Sequence, residues 1–348
     1  MFGVIPLPKA KKTEKAPLKV LFIYAGPVSD GGWTQSHETI RQQIERSGGN
    51  VKADYAESVS STEELKKVLS ESKIKNYRVI VATSASFERE TVQAAKKNPD
   101  KIFLQCSGRT LAPNLGTYFG KIYEARFLTG LIAGKMTKTN KIGFVGAYPV
   151  PEVLCGINAF ALGVKKANPK ANVYAAFTYS WFAPSQEREK AEQLIDAGCD
   201  LLTLHQDSPA VLQTAGEFGK NGIGYNSDMS IFAPGNHLTA PVWNWGVYYN
   251  RSFDEISDNT WKPGHYVGDL KDGLVGLAPF SKKVPAAVRK LAEDYEIKIK
   301  DGTINVFDGP VKDNKGKIRI KLGEKPDEKQ IEKMDYLVEG VREIEKRK

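Results

Sequence analysis

Short apolar runs alternate along most of the chain with stretches whose hydrophobic residues fall at helical spacing. Lys19-Val20-Leu21-Phe22-Ile23-Tyr24, β-branched and aromatic and stopped by Gly26-Pro27, predicts a buried strand. Ile40 and Ile44, within Ser36 to Ser47 and ahead of Gly48-Gly49, predict a helix. Val51 to Tyr55 is a second strand. Ser61-Thr62-Glu63-Glu64 has the form of a capping box, opening a helix with Leu65, Val68 and Leu69 on one face. Val79 to Ala82 and Lys101 to Gln105 are further strands, separated by a helix from Glu88 to Lys97. This succession implies a parallel sheet with right-handed crossovers.

A long helix is expected from Tyr123 to Met136, with Ala125, Gly130, Ala133 and Gly134 giving it a slim packing face. The alternation then restarts. Strands are expected at Lys141–Val145, Val173–Tyr179, Asp200–His205 and Gly222–Tyr225. Helices are expected within Pro151–Asn168, Ser185–Ala197 and Pro209–Lys220. The two runs meet near residues 137 to 140 and predict two Rossmann-like lobes, residues 18–138 and 139–242, after a basic arm of residues 1–17. A strand at His237–Val242 precedes residues 243–348, which return to complete both lobes. There Ile331, Met334, Leu337, Val338, Val341 and Ile344 predict an amphipathic C-terminal helix docked on its own lobe.

Size supports more than one core, since 348 residues exceed one comfortable domain. Hydrophobic content of 41% and charged content of 26% are those of a globular protein. No apolar stretch approaches the roughly 18 to 20 residues that span a bilayer. The first residues lack the pattern of a secretory signal. Cys106, Cys155 and Cys199 show no metal-ligand spacing, and Cys106 and Cys199 abut apolar runs as small core residues do. The net charge of +9 is concentrated in the N-terminal arm, in Lys312 to Lys321 and in Glu345-Lys346-Arg347-Lys348. That is a solvated excess rather than a nucleic-acid footprint, so no nucleic-acid partner is expected.

Candidate chemistry lies where strands end, because parallel strands align their carboxyl ends along one edge. After the first strand come Asp30-Gly31-Gly32-Trp33-Thr34, a carboxylate and an indole in a glycine turn. Thr83-Ser84-Ala85-Ser86-Phe87 and Ser107-Gly108 hold the corresponding places in the first lobe. In the second lobe these are Ser180-Trp181-Phe182, Gln206-Asp207-Ser208 and Asn226-Ser227-Asp228. If the two edges face each other, Trp33 and Trp181 come from opposite walls of one cleft. Two aromatics around a planar ring, with carboxylates at its edge, suit a nucleobase better than a sugar or an amino acid. Asn244 and Trp245 follow the His237–Val242 strand and are candidates for the same cleft, the alternative being interlobe packing. Asp207-Ser208 before Pro209 fits helix capping as well as it fits binding.

These residues carry a family resemblance. Asp30-Gly31-Gly32-Trp33, the helix start Tyr123 to Gly130, Ile142 to Gly146 with Pro151-Glu152-Val153 and Gly156 to Phe160, Trp181 to Pro184, Gln206-Asp207-Ser208, Ser227-Asp228 and Met334 to Gly340 resemble the basic membrane protein family. Its members are substrate-binding proteins of ABC transporters and include purine nucleoside receptors. The resemblance implies an α/β type I periplasmic-binding-protein fold: two lobes, a three-strand hinge and closure on a ligand. It also implies a purine held between aromatics, here Trp33 and Trp181 or Phe182, with Asp228 in polar recognition. The first loop departs from the nucleoside-receptor pattern Asp-x-Ser-Phe-Asn, and Trp33-Thr34 in place of Phe-Asn resembles members that take a free base such as adenine.

A monomeric, non-enzymatic binding protein without cofactor or metal is therefore expected, passing a purine base or nucleoside to a permease. By the resemblance it works outside the cytoplasm. With no signal present, a cytoplasmic purine sensor is the alternative. A nucleoside hydrolase using Asp30 and Asp228 is disfavoured. His37, His205, His237 and His265 lack metal spacing, and no nucleophile elbow or phosphate loop occurs.

Overall fold

The computed structural model describes residues 16–344. Most of the basic arm expected over residues 1–17, and the final basic cluster, lie outside the described residues.

The first lobe begins with β1 (Leu18–Ile23), α1 (Trp33–Arg46), β2 (Val51–Ala56), α2 (Thr62–Val68), α3 (Glu71–Ile74) and β3 (Val79–Ala82). It continues through α4 (Glu88–Lys97), β4 (Ile102–Cys106) and β5 (Leu115–Gly120). The capping box forms as expected, with Ser61 and Glu64 each accepting the other's backbone N–H. The second lobe comprises α5 (Ile122–Met136), β6 (Lys141–Gly146), α6 (Pro151–Ala167), β7 (Asn172–Phe177), α7 (Pro184–Asp196), β8 (Leu201–His205), α8 (Ala210–Glu217) and β9 (Asn221–Ile223).

The returning segment holds β10 (Pro241–Trp243), α9 (Gly246–Ser257), β11 (His265–Gly268), β12 (Val275–Leu277) and α10 (Ala286–Lys300). The chain ends with the hairpin β13 (Val311–Lys312) and β14 (Ile318–Ile320), then α11 (Glu328–Ile331) and β15 (Val341–Glu343). The lobe sheets run β11-β5-β4-β3-β1-β2 and β15-β7-β6-β8-β9, every pairing parallel. Each is completed at one edge by a strand from the returning segment. No described helix is long and apolar enough to cross a membrane.

Three passages join the lobes. The chain leaves β5 through Lys121, whose N–H bonds to Gly268. It returns through β10 and leaves again through β12, which pair antiparallel. Helix α5 lies against α6 at very short range. A Cβ on Gly130 would strike the Phe160 carbonyl, and one on Gly163 the Phe127 carbonyl, so the small-residue face does the packing expected of it. This contact packs α5 closely against α6.

The expected C-terminal helix does not form. Ile331, Met334, Leu337, Val338 and Val341 are buried, but only Glu328–Ile331 is helical, and Val341–Glu343 pairs with β7 as an edge strand. The helical spacing came from a segment that winds over its lobe. The Cys106 and Cys199 side chains are buried in the core as expected, and Cys155 joins them; all three are free.

Candidate functional site

The loop between β1 and α1 folds around Asp30. Its carboxyl accepts the N–H groups of Gly32 (2.8 Å), Thr34 (2.8 Å) and Gln35 (3.0 Å). That satisfies the otherwise unpaired donors of a helix start and lets α1 begin at Trp33, three residues earlier than expected. Thr34 is buried beside Asp30. Burial pushes the Asp30 carboxyl up, against the three backbone donors that pull it down.

Trp33 is half-buried, with its indole N–H on the Thr83 carbonyl at 2.9 Å. Its ring stands edge-on to Trp243 (5.7 Å), Trp245 (5.5 Å) and His37 (4.8 Å). Trp245 is fully buried, stacked between Trp243 and His37, and donates to the Ser36 hydroxyl. Trp243 bridges to the second lobe through Asn226 Oδ1 at 3.0 Å. Trp33 therefore belongs to an aromatic wedge between first-lobe helix and hinge. His37, with its Nδ1 on the Tyr249 hydroxyl, is held well below its usual pKa by burial.

The second lobe presents a different wall. Trp181 is 40% exposed and Phe182 46% exposed. The Trp181 ring lies 5.6 Å from Tyr148 and 6.2 Å from His205, and its carbonyl accepts the Asp207 N–H at 2.9 Å. Tyr179, also exposed, carries a left-handed backbone (φ 58°), rare for a bulky residue. Ser208 donates to buried Glu187, whose other oxygen accepts the Ala183 N–H at 2.9 Å. Glu187 thus ties the Trp181 loop to the Asp207 loop. Burial raises its carboxyl to about 7, with these two donors opposing. Asp207 is raised well above the usual carboxylate range by burial and then by Asp30, Glu187 and Glu152.

The two edges touch. A Cβ on Gly32 would lie 2.6 Å from the Asp207 carbonyl oxygen, and one on Gly31 would lie 2.9 Å from Pro209. Ser227 donates to the Gly31 carbonyl at 3.1 Å. Asp30, Trp33, Thr34, Trp181, Asp207 and Trp245 thus sit on or directly behind this junction. Ser84 stays at the first-lobe edge, its hydroxyl capping a short turn and its carbonyl accepting from Gln105. Phe87 is a correction: its ring is buried with Leu21, Ile23 and Val59 on the other face of the sheet, as core. Asp228 is exposed and accepts the Ser230 N–H at 3.0 Å in a local turn. Asn244 is exposed, with its N–H on the Leu274 carbonyl in the hinge.

Behind the second wall lies a polar group outside the expected set. Arg126 is fully buried, its guanidinium 3.8 Å from the Tyr225 ring centroid and its Nη2 on the Leu204 carbonyl at 2.8 Å. Among the described residues no hydrogen-bond partner meets its Nε or Nη1, nor His205 Nδ1. Burial lowers Arg126 to about 10. Tyr225 meets His205 Nε2 at 3.1 Å, and Glu152 lies 3.7 Å from the same nitrogen. The signal for Arg126 was available as an arginine amid the apolar run Ala125-Phe127-Leu128.

Known proteins resemble this chain at matching scale. A model of the Bmp family, described as ABC transporter substrate-binding protein PnrA-like, matches residues 18–309. A purine-binding protein of Brucella abortus is 40% identical over 325 residues, 93% of each chain. A putative ABC transporter glucose-binding protein of Haloferax volcanii is 30% identical over 94% of this chain and 81% of its own. Among solved structures, an ABC transporter solute-binding protein of Conexibacter woesei superposes with a TM-score of 0.70 at 20% identity, covering 83% of this chain and 98% of that one. One from Aeropyrum pernix superposes with a TM-score of 0.71 at 16% identity, covering 83% and 93%. These neighbours carry the two-lobed type I fold expected from the sequence. The chain belongs to the PnrA-like family of ABC-transporter substrate-binding proteins, the basic membrane protein family.

Proposed function

We propose that the chain captures a purine in the cleft between its lobes, favouring the free base over the nucleoside, and presents it to an ABC permease outside the cytoplasm. The observation that carries this is the 40% identity, over nearly the full length of both chains, with a protein named for purine binding. The aromatic rings of Trp33 and Trp181 on edges that meet, with the Asp207 backbone bonded to Trp181 and packed against Gly32, support it, because stacking supplies affinity and edge hydrogen bonds supply choice among bases. Ligand contacts from both lobes favour the closed state by as much as they bind it better. The glucose-named relative, at 30% identity, makes a sugar the second reading.

A thermal-shift screen of purine and pyrimidine bases, nucleosides and sugars tests this. A specific ligand at one hundred times its Kd stabilises the fold by about 2.7 kcal/mol. A shift with adenine exceeding that with adenosine is expected. A shift with glucose and none with any purine would sink the proposal.

A further inference from the structure

Where the β1–α1 turn meets the second lobe, the two lobes touch backbone to backbone. A Cβ on Gly32 would lie 2.6 Å from the Asp207 carbonyl oxygen, 2.9 Å from its carbonyl carbon and 3.0 Å from its Cα. These are main-chain atoms, and the Asp207 N–H is itself bonded to the Trp181 carbonyl. No change of rotamer on either side relieves such a clash. At Gly31, whose φ of 83° lies in the left-handed region that glycine favours, a Cβ would lie 2.9 Å from Pro209 Cδ and 3.2 Å from Phe232 Cζ. Beside these contacts the Ser227 hydroxyl donates across the junction to the Gly31 carbonyl at 3.1 Å. The chain passes between the lobes elsewhere, at Lys121 and through β10 and β12. Gly31 and Ser227 stand 196 residues apart in sequence, so this contact exists through the approach of the lobes.

A hinged protein that closes on its ligand balances an open form against a closed one. Contacts made only in the closed form shift that balance whether or not they touch the ligand. We infer that Gly31, Gly32 and Ser227 are positioning residues of a closure seam, which sets how near the lobes come and scales the affinity for every ligand by one common factor. This rests on the reading above that the lobes close around a ligand, and not on which ligand it is. The missing side chain of Gly32 is the condition for the approach, and the Ser227 hydrogen bond is the part that favours it. Removing a group that contacts the ligand changes the choice among ligands, because each ligand meets that group differently. Removing a seam contact lowers only the fraction of closed protein, and the apparent Kd of each ligand rises as that fraction falls.

Calorimetric titration of adenine, adenosine and glucose into the full chain, for the wild type, Ser227→Ala and Gly32→Ala, tests this together with small-angle X-ray scattering at saturation. Ser227→Ala removes one hydrogen bond and adds no bulk. It should weaken each ligand that the wild type binds by the same factor, about two- to tenfold, with the ligand-free melting temperature unchanged. Gly32→Ala should weaken each by about tenfold or more. Saturated with ligand, it should keep a larger radius of gyration than the saturated wild type, since its lobes cannot come as near. The inference is overturned if both variants bind as tightly as the wild type, or if the losses differ between ligands, which would make these residues ligand contacts. It is also overturned if Gly32→Ala melts lower without ligand yet matches the wild type in Kd and saturated radius, which would make the contact part of the standing fold. Purine binding survives each of those results. Binding of glucose and of no purine sinks the purine proposal alone, and the Kd and scattering of the variants with glucose then decide the seam.

Discussion

The two walls of the cleft are built on opposite principles. In the first lobe Asp30 spends its carboxyl on the start of α1, and Trp33 is wedged among His37, Trp243 and Trp245 with its N–H already bonded. In the second lobe Trp181 and Phe182 stand exposed, and no described residue donates to the Asp207 carboxyl. The first wall is a satisfied surface whose shape is fixed before any ligand arrives. The second carries groups whose hydrogen bonds and contacts are unfinished. Under the purine proposal, rigid preformation on one side would limit the entropy lost on binding, and unfinished groups on the other would supply the interactions that closure completes. Removing equivalent residues from the two walls should therefore differ in the ligand-free protein, costing stability at the first wall and little at the second, while both indoles serve the proposed stacking.

The largest contrast is expected at the two indoles. Trp33→Ala opens a cavity beside the hinge tryptophans and should cost the ligand-free protein about 2 to 4 kcal/mol. Trp181→Ala removes an exposed ring and should cost under about 1 kcal/mol. Urea denaturation of the ligand-free variants measures both. Equal losses would erase the distinction between the walls. The acids follow at smaller scale. Asp30→Ala leaves three N–H groups without their acceptor, those of Gly32 and Thr34 buried, and should cost about 1 to 3 kcal/mol. Asp207→Ala removes an unpartnered carboxyl from among other acids and should leave the ligand-free melting temperature unchanged or higher. A lower melting temperature for Asp207→Ala than for Asp30→Ala would reverse the assignment.

The sequence shows the lobes more clearly than it shows which groups in them are free. Strands such as Val79–Ala82 are legible because local composition and flanking turns agree, and both sheets are assembled from such strands. Leu115–Gly120 escapes because its two glycines dilute the apolar run. Val341–Glu343 escapes because a three-residue edge strand exists only through its pairing with β7, far away in the chain. At the site, Trp33 and Asp30 stand out by residue type and position. Whether a carboxylate there caps a helix or waits for a ligand depends on tertiary neighbours. Asp30 turned out to cap, and Phe87, equally plausible after its strand, turned inward to the core. Arg126 is visible as an arginine within an apolar run, but its surroundings are not, since Leu204 and Tyr225 are brought to it by no local pattern.

The smallest effect concerns the one buried acid that serves the second wall structurally. Glu187 fastens the Trp181 loop to the Asp207 loop through Ala183 and Ser208, as Asp30 fastens the first wall to α1. Its carboxyl is raised to about 7 by burial, above its value in the unfolded chain of about 4.3. Between those values the folded state binds more protons than the unfolded state, so stability falls as pH rises and levels off once both states are ionised. From about pH 6 to pH 8 this group should cost the wild type on the order of 1 kcal/mol, most of it lost by pH 7.5. Glu187→Gln cannot ionise and keeps an oxygen for the Ala183 N–H, so the difference in urea stability between it and the wild type isolates the titration. That difference should move in favour of the glutamine variant as pH rises. A difference that stays constant, or moves toward the wild type, would mean that Glu187 is ionised in its pocket and that the second wall is tied down by a charge.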